Sequence, residues 1–392
     1  MRDIKDQINL NKKKVLLRLD LNVPLENGKI TDTTRIDKIL PTINYLLKND
    51  AKIIILSHVG RPKGKVVNEL SLEPICESLE SKLKTNIKFI KKNIKEIKSS
   101  DLFIDRNEKI VILENLRFYE EEEKNDKDFA KHLANLADIY VNDAFSCSHR
   151  AHASIFEITK FISSYAGLQL KLEIEALTKI TSEIKKPITC IIGGSKVSSK
   201  FNIIKNLIPK FDNIIIVGGM ANNILKYKGH EIGKSLQEDN CNQIVEEIFS
   251  LSKKENCKIF YPEDVVTGKS LNGSPEVKEL ENVSKDDLIL DIGPKTIKTI
   301  HDIIDKSNTI LWNGPAGYFE NPSFAKGSIE ISKKIVEKNK NNTIYSVAGG
   351  GDTVALLNIV DAINSFNFVS TAGGAFLEYL EGKELPGIKA LN

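Results

Sequence analysis

The chain contains two apolar runs, Val15-Leu16-Leu17-Arg18-Leu19 and Lys52-Ile53-Ile54-Ile55-Leu56-Ser57, which flank an amphipathic segment at residues 35–49. Branched apolar residues in short runs indicate buried strands, and apolar residues at the spacing seen in residues 35–49 indicate a helix. A strand, a helix and a second strand in this order predict parallel pairing, with the helix packed on one face of the sheet.

The same alternation continues along the chain. Further strands are predicted at residues 110–113, 138–142, 188–192, 213–217, 258–261, 309–312 and 343–346. Further helices are predicted at residues 127–136, 200–208, 240–252, 295–304, 324–338 and 352–359. One parallel sheet rarely holds this many units, so we predict an α/β fold with two domains. The charged helix at residues 170–184 either connects the domains or is an ordinary surface helix.

The composition is that of a folded protein. The 392 residues are 41% hydrophobic and 28% charged, and the formal net charge is +3, which excludes disorder as the main state. The lysine clusters at residues 12–14 and 91–92 have no aromatic residues between them. They indicate solvated faces rather than a surface for nucleic acid.

Several features point to the cytoplasm. No apolar run reaches the ~18 to 20 residues of a membrane helix. The start of the chain, Met1-Arg2-Asp3-Ile4-Lys5-Asp6, has no apolar core of a secretory signal. The five cysteines include no C-x-x-C pair, so we expect neither a zinc site nor disulfides. We predict a cytoplasmic protein with no membrane partner and no nucleic-acid partner.

Charged and polar residues follow the predicted strands of the first half. These segments are Asp20-Leu21-Asn22-Val23-Pro24, Ser57-His58-Val59-Gly60-Arg61-Pro62, Glu114-Asn115-Leu116-Arg117-Phe118 and residues 143–152. Ligands of open α/β sheets bind beyond the carboxyl ends of the strands.

We therefore expect the arginines and histidines of these segments, with the arginine that starts the first helix, to bind a small anion carrying phosphate or carboxylate. They are Arg35, Arg61, Arg117, Arg150, His58, His149 and His152. Any one arginine alone is more simply a surface ion-pair partner, and His149 and His152 are equally well supporting or capping residues.

Glycines follow the predicted strands of the second half. They lie in Gly193-Gly194-Ser195-Lys196, Gly218-Gly219, Asn313-Gly314-Pro315-Ala316-Gly317 and Gly349-Gly350-Gly351-Asp352-Thr353. Glycine lets backbone N–H groups approach a phosphate, and a helix N-terminus adds a favourable dipole. Lys196 and Lys200 supply positive charge, and Asp352 supplies a carboxylate for a magnesium ion. One glycine turn means little, but four predict a site for nucleotide phosphates.

Common nucleotide motifs are missing. The sequence contains no G-x-x-x-x-G-K-[ST], no G-x-G-x-x-G, no G-x-S-x-G and no protein-kinase loop set. Two alternatives stay open at this point. A nicotinamide dehydrogenase is disfavoured by the missing G-x-G-x-x-G, and a non-catalytic anion-binding protein is disfavoured by the full set of arginines and both lysines.

Several segments together resemble the phosphoglycerate kinase family. Residues 18–24 are similar to its R-x-D-x-N-V-P signature, and residues 57–62 are similar to its S-H-x-G-R-P loop. The similarity continues at residues 113–118, 142–152, 193–200, 218–221, 312–320, 349–353, 370–375 and 380–387, and so covers nearly the whole chain in order.

The resemblance implies a fold of two Rossmann-like three-layer (α/β/α) domains with mainly parallel sheets. Residues 1–168 with 381–392 would form an N-terminal phosphoglycerate-binding domain, to which the C-terminal tail returns. Residues 169–380 would form a C-terminal nucleotide-binding domain, in which residues 169–185 are a hinge helix between the two domains.

The implied activity is reversible phosphoryl transfer from 1,3-bisphosphoglycerate to MgADP, giving 3-phosphoglycerate and MgATP in glycolysis. The implied enzyme is a cytosolic monomer that uses Mg²⁺, takes ADP/ATP as co-substrate, and works by hinge closure and electrostatic stabilisation without a general base.

The resemblance also implies roles for single residues. Contacts to phosphoglycerate would come from Asp20, Asn22, Arg35, His58, Arg61, Arg117 and Arg150. Contacts to nucleotide would come from Lys200, Glu320, Gly350, Gly351, Asp352 and Thr353, with Asp352 also at the metal. Arg35 and Lys196 would support the transferring phosphoryl group.

The sequence departs from the family pattern at three places. Ser146-Cys147-Ser148 stands where G-T-A is usual, Ala372 stands where a third glycine is common, and Phe376 stands where a serine is common. Ala372 is expected to hinder a close backbone approach near the transferring phosphate. The charged site residues are all present, so we do not expect an inactive homologue.

Overall fold

The computed structural model describes residues 1–7, 9–26, 28–105 and 107–392. These residues form two compact units. Unit 1 comprises Met1–Glu175 and Glu384–Asn392, and unit 2 comprises Ala176–Lys383. Each unit contains a six-stranded parallel sheet, which confirms the two-domain α/β fold predicted from the alternating strands and helices.

Unit 1 is built on a sheet whose strands run in parallel. The strands of unit 1, two of which lie outside this sheet, are β1 (Lys14–Leu19), β2 (Leu25–Glu26), β3 (Lys29–Ile30), β4 (Lys52–Leu56), β5 (Ile87–Ile90), β6 (Ile110–Leu113), β7 (Ile139–Asp143) and β8 (Ser164–Ala166). Its helices are α1 (Thr34–Lys48), α2 (Glu73–Leu83), α3 (Glu120–Glu123), α4 (Lys127–Ala134) and α5 (Leu168–Thr181), which continues into unit 2.

The sheet of unit 1 has helices on both faces. The strand order is β5-β6-β4-β1-β7-β8, with β2 and β3 forming a separate hairpin. Leu17 of β1 belongs to a core that includes Ile39 of α1, whereas the neighbouring Leu16 belongs to a core that includes Phe129 of α4. Successive strand residues thus enter opposite cores, which explains why these strands are apolar throughout.

Unit 2 repeats this plan and adds a smaller sheet. Its strands are β9 (Ile188–Ile192), β10 (Asn213–Ile216), β11 (Lys258–Phe260), β12 (Asp264–Gly268), β13 (Glu276–Glu279), β14 (Leu288–Ile292), β15 (Thr309–Asn313), β16 (Tyr345–Gly349) and β17 (Phe368–Ser370). Its helices are α6 (Val197–Leu207), α7 (Gly219–Tyr227), α8 (Asn242–Lys254), α9 (Pro294–Lys306), α10 (Lys326–Lys340), α11 (Gly351–Ile359) and α12 (Gly373–Leu380).

The parallel sheet of unit 2 has the order β11-β10-β9-β15-β16-β17. Its central strands β9 and β15 pair with Cys190 opposite Leu311, and both residues are fully buried. The three-stranded antiparallel sheet β13-β12-β14 was not predicted from the sequence.

The end of the chain returns to unit 1. The short helix α13 (Pro386–Lys389) is part of unit 1, and the backbone N–H of Gly387 donates to the carbonyl oxygen of Ser148 at 2.8 Å. Leu385 and Leu391 on either side of α13 are buried. In the part of the chain that the structure describes, no helix is both long and apolar enough to cross a bilayer.

Candidate active site

The carboxyl ends of β1, β4 and β6 bring several predicted residues into contact in unit 1. Arg35 Nη1 lies 3.1 Å from Asp20 Oδ2 and donates to the carbonyl oxygen of Asn22 at 3.0 Å. The N–H of Gly60 donates to Asn22 Oδ1 at 2.8 Å, and Arg117 Nη1 donates to the carbonyl oxygen of Gly60 at 3.0 Å. Four of the residues expected to bind the anion, Asp20, Asn22, Arg35 and Arg117, therefore form one contact chain.

Arg61 and Arg150 follow β4 and β7, and both are exposed. Among the described residues neither forms an ion pair. Their charges are therefore available to an anionic ligand, although the structure does not bring their side chains into the contact chain. A guanidinium binds phosphate or carboxylate through paired N–H groups.

The two buried histidines of unit 1 are neutral. Burial, and then the positive charges of Arg18 and Arg117, hold the pKa of His58 well below its ordinary value. Burial, and then the charge of Arg117, lower the pKa of His152 to about 3. These two histidines therefore contribute no positive charge to the site near pH 7, whereas its arginines do.

In unit 2 the predicted glycine turns enclose a cavity of about 280 Å³. The loops after β9, β10, β15 and β16 all contribute to its lining, with Gly194, Gly218, Pro315 and Asp352 among the lining residues. The turns pack backbone against backbone. A Cβ on Gly314, whose φ is +102°, would lie only 2.3 Å from the carbonyl oxygen of Gly193.

Lys200 belongs to a polar network beside this cavity. Its Nζ donates to Asn313 Oδ1, and Asn313 Nδ2 donates to the carbonyl oxygen of Gly349 at 2.5 Å. The N–H of Gly314 donates to Thr353 Oγ1 at 2.7 Å. Burial lowers the pKa of Lys200, and the carboxylate of Asp352 acts in the opposite direction. The network joins the ends of β15 and β16 and fixes the lysine between them.

The first turn of α11 follows β16 directly. In the described residues no side chain caps this helix, so the N–H groups of its first turn remain available to an anion. Asp352 in that turn is exposed and lines the cavity together with Glu320, which is also exposed. Lys196 is exposed at the start of α6, beside Ser195, which lines the cavity.

The donor set of unit 2 suits a magnesium ion only together with a ligand. Within the described ranges no group of three or more His, Cys, Asp or Glu side chains is placed to hold a metal. Asp352 offers one carboxylate. In nucleotide sites Mg²⁺ is commonly held by one or two carboxylates plus the phosphates of the nucleotide, and this arrangement fits Asp352.

A family model described as phosphoglycerate kinase matches residues 4–383. The phosphoglycerate kinase of Wolbachia pipientis subsp. Culex pipiens (strain wPip) is 45% identical over 387 residues, which is 98% of each chain. The chain belongs to the phosphoglycerate kinase family. The phosphoglycerate kinase of Chelativorans sp. (strain BNC1) is 43% identical over 391 residues, covering 99% of this chain and 98% of that relative.

Two solved structures are also similar. The phosphoglycerate kinase from Coxiella burnetii has a TM-score of 0.89 and 38% identity, with 98% of this chain and 97% of that chain covered. The enzyme from Pyrococcus horikoshii OT3 has a TM-score of 0.84 and 28% identity, with 100% and 98% covered. The predicted enzyme class, a phosphotransferase of the phosphoglycerate kinase family, is confirmed, and the nicotinamide dehydrogenase considered above is set aside.

The departures from the phosphoglycerate kinase pattern are accommodated without backbone strain. Ala372 occupies the N-cap position of α12 with a φ of −96°, which an alanine adopts freely. Phe376 is fully buried, and its ring packs against Gly349, where a Cβ would lie 2.6 Å from Phe376 Cε1. Cys147 lies next to His58, with Sγ 3.9 Å from His58 Nδ1.

Sequence reasoning missed several residues of this phosphoglycerate kinase site. Arg18 stood in the signature without a role, yet it is wholly buried and contacts His58. A charged residue inside an apolar strand was the available signal, because a buried guanidinium needs partners. Glu122 is one of four consecutive glutamates, and Asn313 stands next to turn residues, so the sequence did not distinguish either of them from its neighbours.

Proposed function

We propose that the chain catalyses reversible phosphoryl transfer from 1,3-bisphosphoglycerate to ADP, giving 3-phosphoglycerate and ATP in glycolysis. Family membership supports this reaction. The observation that carries the proposal to particular residues is the contact chain Asp20, Arg35, Asn22, Gly60 and Arg117. It holds two guanidinium groups at the carboxyl edge of a parallel sheet, where ligands of such folds bind.

In this proposal unit 1 binds the phosphoglycerate. Four arginines would neutralise its phosphate and carboxylate groups, and the remaining side chains would position it by hydrogen bonds. The complete set is Asp20, Asn22, Arg35, His58, Arg61, Arg117 and Arg150. The exposed and unpaired state of Arg61 and Arg150 in the described residues supports this role, because these two charges are not already neutralised.

Unit 2 would bind the nucleotide. The set is Lys200, Glu320, Gly350, Gly351, Asp352 and Thr353. Uncapped N–H groups at the start of α11 suit phosphate oxygens, and Lys200 adds a positive charge that Asn313 holds in place. The apolar part of the cavity, lined by Leu236 and Leu290 among others, suits a planar base.

Asp352 is the residue that would hold Mg²⁺ with the nucleotide phosphates. When bound, the ion would neutralise phosphate charge and orient the phosphates. The carboxylate of Asp352 lies in the first turn of α11, close to the N–H groups that would take the phosphate oxygens. Asp352 would therefore position the nucleotide through the ion.

No general base is needed for this reaction. The attacking group is a phosphate oxygen of ADP in one direction and a carboxylate in the other, and both are ionised near pH 7. Catalysis would then rest on alignment and on stabilising a metaphosphate-like transition state by cations, Arg35 and Lys196. The lowered pKa values of His58 and His152 make both side chains weak bases near pH 7, which agrees with a mechanism that needs no general base.

Substrates bound to separate units must be brought together, so we propose that the units close during turnover. Closure would also exclude the water that otherwise hydrolyses the acyl phosphate. We further propose a cytoplasmic monomer. The free state of all five cysteines supports a reducing compartment.

The test is a coupled assay of ATP formation with the purified chain. We expect ATP only when 1,3-bisphosphoglycerate, ADP and Mg²⁺ are all present, and we expect the reverse reaction from 3-phosphoglycerate and ATP. The Asp352→Ala variant gives the background rate for comparison. Because Asp352 is exposed, this variant should keep the fold while it loses the proposed metal ligand. ATP formation by the wild type no faster than by this variant would overturn the proposal.

A further inference from the structure

Among the described residues of unit 1, Arg18 is the most deeply buried cation, and all its nitrogens are engaged. Nε donates to Ser154 Oγ at 3.0 Å, and Nη1 donates to the carbonyl oxygen of Leu19. Nη2 lies 3.0 Å from Nδ1 of His58. Contacts in three directions leave the planar guanidinium a single orientation.

The contact between Arg18 and His58 determines where the imidazole proton lies. A guanidinium carries only donors and stays protonated in proteins. Nδ1 of His58 must therefore accept the hydrogen bond, and the proton of the neutral ring lies on Nε2. Among the described residues no protein group bonds to that Nε2, so its N–H is left for a ligand.

A second set of contacts holds Arg18 in place. Ser154 donates to Glu122 twice, from Oγ to Oε1 at 2.6 Å and from its backbone N–H to Oε2 at 2.9 Å. Glu122 is fully buried; burial raises its pKa, and the charge of Arg18 acts against that rise. Tyr140 donates its hydroxyl to the carbonyl oxygen of Ser154 at 2.5 Å. Arg18 and Glu122 are thus a buried charge pair bridged by Ser154, which lets the arginine remain charged.

The other groups that face His58 favour the same state. Arg117 after β6 and Arg35 of α1 add positive charge, which disfavours a second proton on the ring. His152 is itself neutral near pH 7, because its pKa is lowered to about 3. Cys147 offers only a thiol at 3.9 Å, a weak donor, toward Nδ1.

We propose that Arg18 is a positioning residue that holds His58 as a neutral imidazole with its proton on Nε2, ready to donate to phosphoglycerate. The identity of the ligand rests on the proposed function. The position of the His58 proton in the free protein does not, because it follows from the contact between Arg18 and Nδ1 of His58.

The first test is ¹⁵N NMR of histidine-labelled protein without substrate. Signals that vanish in the H58N variant assign His58. We expect one unprotonated ring nitrogen at Nδ1 and one protonated nitrogen at Nε2, unchanged from about pH 8 to pH 5.5. A proton on Nδ1, or a second proton acquired in this range, would overturn the proposal.

The second test removes the arginine without leaving an unpaired buried carboxylate. The double variant R18M/E122Q replaces the charge pair by uncharged side chains of similar size. We expect a mixture of His58 ring tautomers and a dissociation constant for 3-phosphoglycerate about tenfold higher at pH 8, the loss expected for one hydrogen bond to a charged group.

The C147A variant is the control for packing, because it removes a neighbour of both Arg18 and His58 without touching their contact. Its histidine spectrum should match the wild type. Unchanged His58 signals and unchanged affinity in R18M/E122Q would reduce Arg18 to a structural role. A wild type that has the expected His58 spectrum but binds no 3-phosphoglycerate would reject the proposed function and leave the assignment of His58 intact.

Discussion

The ion pair between Arg35 and Asp20 contributes little to the stability of unit 1. The two side chains have exposures of 28% and 11%, and the guanidinium also donates to the carbonyl oxygen of Asn22. A partly exposed pair of this kind contributes about 1 kcal/mol or less to folding. Unit 1 should therefore stay folded without Arg35, so kinetic effects of its removal report on catalysis.

Arg35→Ala and Lys196→Ala should each lower kcat by at least ~100-fold with a modest change in KM, because each removes a cation that acts on the transition state. Steady-state kinetics in the coupled assay measures this. Lys253→Ala, which removes an exposed lysine of α8, is the control and should behave like the wild type. Near-wild-type kcat in either variant would remove that residue from the catalytic role.

His152 should make the stability of unit 1 depend on acidity. Its pKa is about 3 in the folded protein, below the ordinary 6.5, so between these values the unfolded chain binds a proton that the folded chain does not. This contribution is complete above pH 6.5 and is lost as the pH falls toward 3.

In His152→Gln the free energy of unfolding should rise with pH less steeply in that range, by up to about 1.4 kcal/mol per pH unit. Urea unfolding of unit 1 is monitored by hydrogen exchange at several pH values. The slope of the free energy of unfolding against pH is then compared between the two proteins. If the substitution only weakens packing, the free energy of unfolding falls by the same amount at every pH and the slope does not change. Equal slopes for the two proteins would contradict the expectation.

At the scale of elements, the junction of β16 and α11 depends on one glycine. Gly350 has a φ of +99°, and a Cβ there would lie 2.5 Å from Nδ2 of Asn313, the residue that holds Lys200. Its neighbour Gly351 has open space around the same position. A side chain would therefore be unfavourable at position 350 and tolerated at position 351.

Gly350→Ala should destabilise unit 2 by about 1–2 kcal/mol or more, through backbone strain and displacement of Asn313. Gly351→Ala should change stability by no more than about 0.5 kcal/mol. The single tryptophan, Trp312 in β15, is buried in unit 2, so its fluorescence during urea unfolding reports this unit. Similar midpoints for the two variants would refute the argument.

The elements that the sequence predicted are those with strong local periodicity. The helix predicted at residues 35–49 is Thr34–Lys48, and the strand predicted at residues 52–57 is Lys52–Leu56. The edge strand β13 of the antiparallel sheet was missed because it lacks a continuous apolar face; Glu276–Glu279 has both exposed and partly buried residues. Such strands are stabilised by pairing with distant residues, which local sequence does not encode.

Part of the candidate site was predictable from the order of the strands. Residues at strand ends converge by topology, which accounts for Asp20, Asn22 and Arg117, whereas Arg35 lies in the first turn of α1. The buried hydrogen bonds next to these residues were not predictable. Those from Arg18 to Ser154 and from Ser154 to Glu122 join residues far apart in sequence. Side chains held by distant partners leave no spacing pattern.

At the scale of the whole molecule, unit 1 is completed by the end of the chain. Gly387 packs so closely that a Cβ would lie 2.7 Å from Cγ2 of Ile155 and 2.9 Å from Cα of Ser148. Leu385 and Leu391, on either side, are buried. The last residues therefore belong to the structure of unit 1, although unit 2 precedes them in sequence.

Gly387→Ala should destabilise unit 1 by about 1–3 kcal/mol, the usual cost of overpacking, and leave unit 2 unchanged. Hydrogen exchange of β1 and β7 follows unit 1, and Trp312 fluorescence follows unit 2. Lys389→Ala, at an exposed position of the same helix α13, is the control and should have little effect. Equal destabilisation of both units would show that they do not unfold independently.

The return of α13 to unit 1 has a consequence for biosynthesis. While the polypeptide is being translated, residues 1–175 leave the ribosome first, yet their partner segment from Glu384 onward is made only after all of unit 2. A nascent chain stalled before residue 384 can complete the later unit but not the earlier one. Assembly of the earlier unit thus finishes last, reversing the usual order in which domains mature on the ribosome.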